Sequence, residues 1–150
     1  MSSTGVTRNI GTAALLVAIA CCAANANPLH EIKSLKGDAT VGANGQITIS
    51  YEVLIKEYNS QTQYEMVFYA TEDGRQLVDK DNRVLEQVVS LGPAVVNDKG
   101  EANFKAKVTL EVFTGQISDP KRIRVHALLV FAGDNRPLAH KETKLKVHKD

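Results

Sequence analysis

From residue 27 onward, apolar and polar positions alternate with a period of two, the spacing of a strand that buries one face and wets the other. Residues 47–55, "ITISYEVLI", set Ile47, Ile49, Tyr51, Val53 and Ile55 against Thr48, Ser50, Glu52 and Leu54. Residues 64–70 set Tyr64, Met66, Phe68 and Ala70 against Glu65, Val67 and Tyr69. Residues 102–112 oppose Phe104, Ala106, Val108, Leu110 and Val112 to Asn103, Lys105, Lys107, Thr109 and Glu111. The pattern recurs in "KRIRVHALLVF", 121–131, where Ile123, Val125, Ala127, Leu129 and Phe131 alternate with Arg122, Arg124 and His126.

Turn chemistry punctuates these runs. Asn44-Gly45, Asp73-Gly74, Lys99-Gly100 and Gly133-Asp134-Asn135 supply residues that tolerate positive φ. Seven or eight strands are predicted, near 30–36, 45–56, 63–71, 75–79, 94–98, 101–112, 121–132 and 137–148. Residues 81–93, "DNRVLEQVVSLGP", carry a capping Asp81 or Asn82, apolar Val84, Leu85, Val88 and Val89, and a Gly92-Pro93 stop. They read as a short helix or irregular crossover, with an edge strand through Val88-Val89-Ser90-Leu91 as the competing reading. Two segments echo each other: "VFYATEDGRQL" (67–77) and "VFAGDNRPL" (130–138) both run from an aromatic strand into an acidic turn, then Arg, one residue and Leu. Either two hairpins share turn chemistry, or two loops at one end of the fold present Arg75 and Arg136 alike.

This sequence of antiparallel strands resembles an immunoglobulin-like or fibronectin type III-like β-sandwich. The resemblance is architectural and spans residues 27–150. It implies an all-β domain and no functional residues, and the Cys–Trp–Cys hallmark of true immunoglobulin domains is missing from a chain with no Trp.

Residues 1–26 differ from the rest. A leader containing Arg8 precedes an apolar run from Ile10 to Ala24, and Ala24-Asn25-Ala26 follows as a small-x-small triplet. The run is shorter than the ~20 residues a membrane helix needs. It reads as a signal peptide cleaved after Ala26, which makes the mature chain secreted or periplasmic. A lipid anchor at Cys21 is the minority reading, since Ala18-Ile19-Ala20 matches a lipoprotein signal poorly. Cleavage after Ala26 removes Cys21 and Cys22, the only two cysteines, and with them any disulfide or zinc–thiolate site.

Charge then changes the picture locally. With 18 basic and 17 acidic residues the formal charge is +1, so no global field draws the chain to nucleic acid or membrane. Matching apolar positions across the last hairpin pairs Val125 with Leu145 and Ile123 with Val147. Arg124 then faces Lys146, His126 faces Lys144, and Arg122 faces His148 on the outer side. Like charges across a ladder oppose pairing, so the row is either a solvated face that discourages edge aggregation or an anion-binding surface. Arg122, Arg124, His126, Lys144, Lys146 and His148 are its candidate residues, with Arg75 and Arg136 as candidate loop contacts.

Little else in the chain points to chemistry. None of the four histidines, His30, His126, His140 and His148, has strong metal-motif spacing. His126 and His140 are able to approach each other across the final hairpin, a juxtaposition read as surface histidines. The acidic segment around Asp73, Asp79 and Asp81 lacks the glycine and terminal glutamate of a calcium loop. No phosphate loop or nucleophile elbow occurs. Aromatics at 104, 113 and 131 fall mostly on inward positions, which leaves no stacking platform for bases.

The expectation is an exported, non-catalytic binding domain without a cofactor. Its partner would be another protein, an acidic glycan or a lipid headgroup, not nucleic acid, and the mature form has no transmembrane span. Two alternatives stay open. One is a proteinaceous inhibitor of a hydrolase acting through a loop at 57–63 or 113–121. The other is an assembly subunit that shares edge strands.

Overall fold

The computed structural model describes residues 29–40, 45–134 and 136–148. The expected signal peptide over 1–26, its cleavage point after Ala26 and the Cys21 alternative lie outside the described residues. Eight strands form: β1 (His30–Thr40), β2 (Gln46–Ile55), β3 (Tyr64–Glu72), β4 (Arg75–Gln76), β5 (Glu86–Leu91), β6 (Ala102–Glu111), β7 (Ile123–Phe131) and β8 (Pro137–His148). Two 3-10 turns, Thr114–Gln116 and Pro120–Arg122, interrupt the connection between β6 and β7. No α-helix occurs, and no helix long and apolar enough to cross a membrane, among the described residues.

The strands form one curled mixed sheet in the order β4-β3-β7-β8-β1-β2-β6, with β5 also paired to β3. Strand β8 makes the curl. Its first part runs antiparallel to β7 from Val130↔Pro137 to Arg124↔Lys144. Its last part runs parallel to β1 from Gly37↔Leu145 to Thr40↔His148. The chain therefore folds back over itself, and the apolar rows of both halves meet. Ile47, Ile49, Val53 and Ile55 from β2 pack with Met66 and Phe68 from β3 and Val125 and Leu129 from β7, all buried. Tyr51 and Phe68 meet at 4.9 Å between ring centroids, joining the two halves at the centre.

Where β1 crosses β7, Gly37 is needed for close approach. A Cβ there would lie 2.6 Å from Val125 Cγ2, inside van der Waals contact, so a larger residue would push β1 off the core. The Asp73-Gly74 turn forms as its chemistry predicts, with φ of 51° and 82° at the two central residues, the type I′ pattern.

Two expectations are corrected, and one of two open alternatives falls. First, the helix or crossover expected over 81–93 is β5, paired with β3 from Tyr64↔Leu91 to Tyr69↔Glu86. Leu85 and Leu91 are buried while Val84 and Val88 are about half exposed, so the apolar stripe of a helix has nothing to pack on, whereas the open side of β3 offers backbone partners. Second, the register of the last hairpin is displaced by two: Val125 faces Thr143 and Arg124 faces Lys144. A slip of two preserves which face each residue occupies, so apolar parity could not choose between them, and β8 leaves β7 at Lys144 to join β1. Third, β3 and β7 are antiparallel, pairing Glu72 with Ile123 and Tyr64 with Phe131. The turn bearing Arg75 and the turn bearing Arg136 are thereby at opposite ends of the sheet.

Candidate functional site

Strands β3, β7 and β8 present a grid on the outer face of the sheet. Its rows are Thr71–Arg124–Lys144, Tyr69–His126–Glu142 and Val67–Leu128–His140. Apart from Val67 and Leu128, these positions carry polar or charged side chains, as the alternation predicts, because their neighbours in sequence fill the core.

The centre of the grid is closed to solvent. His126 retains 5% of its exposure and Tyr69 8%. The two rings stack at 4.5 Å with planes 2° apart, and His140 follows at 5.7 Å and 13°. Thr71 Oγ1 and His126 Nε2 share a hydrogen bond of 2.9 Å. On the other side of the ring, Nδ1 lies 3.5 Å from His140 Nε2 and 3.5 Å from Glu142 Oε2. Burial pushes the His126 imidazole down to about 4; Glu142 opposes this, and the charges of His140 and Arg124 reinforce it. Burial also lowers His140, against the pull of Glu142. The Tyr69 phenol is pushed up to about 12 by burial, with Glu142 and Glu86 adding to it, and its hydroxyl makes no hydrogen bond among the described residues.

The predicted basic row divides under this geometry. His126 is not an outward-facing cation: it is buried beneath aromatic neighbours, uncharged near neutral pH and opposite Glu142, not Lys144. Arg122 ends the turn before β7 and reaches Asp73 at 3.1 Å and Asp119 at 3.9 Å. His148 lies on the far part of β8, bound to Asp38 Oδ1 at 2.8 Å, and Lys146 faces Asp38 in register. Lys146 and His148 therefore stand beside β1, away from Arg124. Arg75 donates to Glu72 at 2.7 Å and to the Gln116 carbonyl at 2.9 Å. Arg136 folds onto Asp134 within its own turn at 3.0 Å, which holds the Asp134 carboxyl below its usual range. Arg124 and Lys144 remain: directly across from each other, both exposed, and without an ion pair among the described residues.

Sequence reasoning missed Glu72. Only 3% exposed, its carboxylate accepts from the backbone N–H groups of Asp119 at 2.6 Å and Ser118 at 2.8 Å, and from Arg75. The Asp119 hydrogen bond most of all, with those from Ser118 and Arg75, holds this carboxyl below its usual range although burial opposes it. Gln116 adds a reciprocal pair to the backbone of Val78 at 2.9 and 2.7 Å. The loop at 113–121 is thus tied to the end of β3 and is not a free polar connection. Alternation alone places Tyr69 outward beside His126, the one signal that could have pointed to the buried cluster.

Hydroxyl, imidazole and carboxylate follow in the order Thr71–His126–Glu142, the order of an activated nucleophile. Two features weigh against that chemistry. An imidazole near 4 is a poor base at neutral pH, and Thr71 lies in a strand paired on both sides, where neighbouring N–H groups are committed to ladders and not free to stabilise an oxyanion. The cluster links side chains of β3, β7 and β8 across the two ladders. No group of three metal-binding side chains is arranged to hold an ion among the described residues.

No protein-family model matches the chain, and no curated protein is similar to it. Among solved structures it is similar to a bacterial adhesin from Mobiluncus mulieris containing intramolecular disulfide, isopeptide and ester bond cross-links. Identity is 11%, the match covers 81% of this chain and 56% of the adhesin chain, and the TM-score is 0.44. It is also similar to Pseudomonas fluorescens alkylpurine DNA glycosylase AlkC bound to DNA containing an abasic site analog, at 11% identity over 80% of this chain and 31% of that chain, with a TM-score of 0.38. The chain thus spans about half of the adhesin chain and under a third of the glycosylase chain. Neither similarity is large enough to carry a functional conclusion.

Proposed function

We propose that this chain is an exported, non-catalytic binding domain that recognises an anionic group on a macromolecular partner through the outer face of β7 and β8. The observation that carries the reading is the Arg124–Lys144 pair. Two exposed cations sit directly across the ladder with no carboxylate bound to either among the described residues. Such a pair costs roughly 0.2–1 kcal/mol relative to a neutral one, a cost that an acidic ligand bridging both would reverse. The buried Tyr69–His126 stack beside it, with the partly buried His140 ring against it, supplies a packed floor, a condition for a precise surface site.

An immunoglobulin-like or fibronectin type III-like identity for the fold belongs to the same proposal. It is supported by the grouping of β1, β2 and β6 on one side and β3, β7 and β8 on the other, with the last strand parallel to the first. Export is supported by the apolar run at 10–24 and the Ala24-Asn25-Ala26 triplet.

The test is binding of the purified chain to a polyuronate, a sulfated glycan and anionic vesicles at low and high salt, beside Arg124→Glu/Lys144→Glu. Binding to one of these probes that weakens in salt and is lost in the double variant supports the reading. Binding equal in both proteins, or none to any anionic probe, overturns it.

A further inference from the structure

Curling leaves the sheet with a seam. At one end β6 pairs in a ladder only with β2, and at the other β5 and the two-residue β4 each pair only with β3. Between them lies an open groove of about 530 Å³, walled by Tyr51, Leu91, Phe104 and Ala106 and roofed by the Gly92–Val95 segment. Strand β6 contributes Asn103 to Ala106 to its lining, from both rows. Alternation assigns Phe104, Ala106 and Val108 to the core, yet Phe104 and Val108 are half-buried and Ala106 is exposed. The end of β5 and the segment after it approach β6 here without forming a ladder with it, which leaves the inner face of β6 only partly covered.

Both ends of this edge are closed by the chain itself. Val96 bridges Ala102, with the Asn97 N–H donating to the Glu101 carbonyl at 3.0 Å. At the other end the Phe113 N–H donates to the Val78 carbonyl at 3.0 Å. Between them the outer backbone edge from Asn103 to Thr109 has no ladder partner among the described residues, roughly 20 Å of open strand at about 3.4 Å per residue. Val95, in the groove lining, stands 94% exposed, and Val96 next to it 40%.

Charge chooses the occupant. On the outward row of β6, Lys105 and Lys107 flank Ala106, both exposed and without an ion pair among the described residues. Glu52 faces Lys105 in register but takes its hydrogen bond from Asn103 Nδ2 at 3.0 Å. A second copy pairing antiparallel about Ala106 would set Lys105 across from Lys107 twice, which like-charge repulsion disfavours. A strand with acidic residues on its outward row and small apolar residues on its inward row satisfies both faces.

We propose that the β6 edge from Asn103 to Thr109 is a strand-addition site for an extended peptide of a partner protein, alternating acidic and apolar residues. The backbone edge supplies hydrogen bonds, Lys105 and Lys107 select the acidic row, and the groove over Tyr51 and Phe104 takes the apolar side chains. This surface is separate from the Arg124–Lys144 face, so either reading survives failure of the other.

The probe is a labelled octapeptide of alternating valine and glutamate, with a valine–lysine octapeptide and a blockwise valine–glutamate octapeptide as controls. Binding to the full chain is followed by fluorescence anisotropy, and amide exchange is followed over β5 and β6. The expected result is saturable binding of the alternating acidic peptide, slowing of those amides of Asn103–Thr109 that exchange fast in the free chain, and about tenfold weaker binding in Lys105→Glu/Lys107→Glu. The same variant should gain affinity for the valine–lysine peptide, and Lys107→Glu alone, at a position facing Ser50, should show the same trend without placing a second carboxylate opposite Glu52. Three outcomes overturn the proposal: no protection of β6 at saturating peptide, equal binding of both charge types, or an edge already protected in the free chain by a second copy or by a segment preceding Leu29.

Discussion

Thr71 Oγ1 and His126 Nε2 lie 2.9 Å apart in the middle of the β3–β7 ladder, joining two side chains 55 residues apart in sequence on a face that alternation assigns to solvent. The neutral imidazole is the form that fits there, and this makes the fold sensitive to acid. Burial first, then the nearby cations, depress His126 to about 4 from 6.5, against the pull of Glu142. Between those two values the unfolded chain holds more protons than the folded one, so stability rises with pH across the window and is lost as pH falls through it. The full cost below 4 is on the order of 3 kcal/mol. Urea denaturation at pH 7 and pH 4.5 should show the loss, and His126→Gln should reduce the slope to the part left by His140 and His30, which burial also lowers. The depressed Glu72 and Asp134 carboxyls act in the same direction, but below their ordinary carboxylate range, so they do not mimic the upper part of this window.

Tyr69 offers an opposite case. Its hydroxyl is buried without a hydrogen bond among the described residues, and an unsatisfied polar group of this kind costs about 1–3 kcal/mol. Tyr69→Phe keeps the ring stacked on His126 and removes the hydroxyl. It should raise the urea midpoint with no change in slope; a lower midpoint would mean that the hydroxyl has a partner in solution.

Gly37 is fixed by contact, not by turn geometry. The 2.6 Å approach to Val125 Cγ2 leaves no room for a methyl group. Gly37→Ala should cost about 1–3 kcal/mol by overpacking, and the combination with Val125→Ala should recover part of it. Chemical denaturation of the two single variants and the double variant measures the coupling.

Glu72 pins the loop between β6 and β7. In Glu72→Gln the charge-assisted bonds to the Asp119 and Ser118 N–H groups weaken. The expected outcome is faster amide exchange at Ser118 and Asp119 and earlier proteolysis within 113–122, while the amides of β2 stay protected. Unchanged exchange there would place the loop's anchorage on Gln116 and its bonds to Val78.

Much of the strand layout was legible from alternation and turn residues. The period of two in 47–55, 64–70, 102–112 and 121–131 corresponds to β2, β3, β6 and β7, and Asp73-Gly74 forms the turn its chemistry dictates. The core faces of β2, β3 and β7 were legible for the same reason. Residues 81–93 were not, because "VLEQVVSL" satisfies helix and strand periods alike and only the open side of β3 decided between them.

The candidate site was legible only as a set of residues. Alternation puts Arg124 and His126 on one side of a strand, with Arg122 in the turn just before it, since their neighbours are claimed by the core. It did not determine which of them keeps a charge facing solvent. Two registers differing by two residues leave the same side chains outward, so the pairing of Arg124 with Lys144 and of His126 with Glu142 came from β8 leaving β7 to join β1. Ion pairs between distant segments likewise depend on long-range strand pairing: Arg122 with Asp73 on β7 lying beside β3, and His148 with Asp38 on β8 joining β1. Alternation is a local property, set by which side of a strand a side chain leaves. Register, burial of an outward residue and the open seam between β5 and β6 are long-range properties, and only tertiary packing decides them.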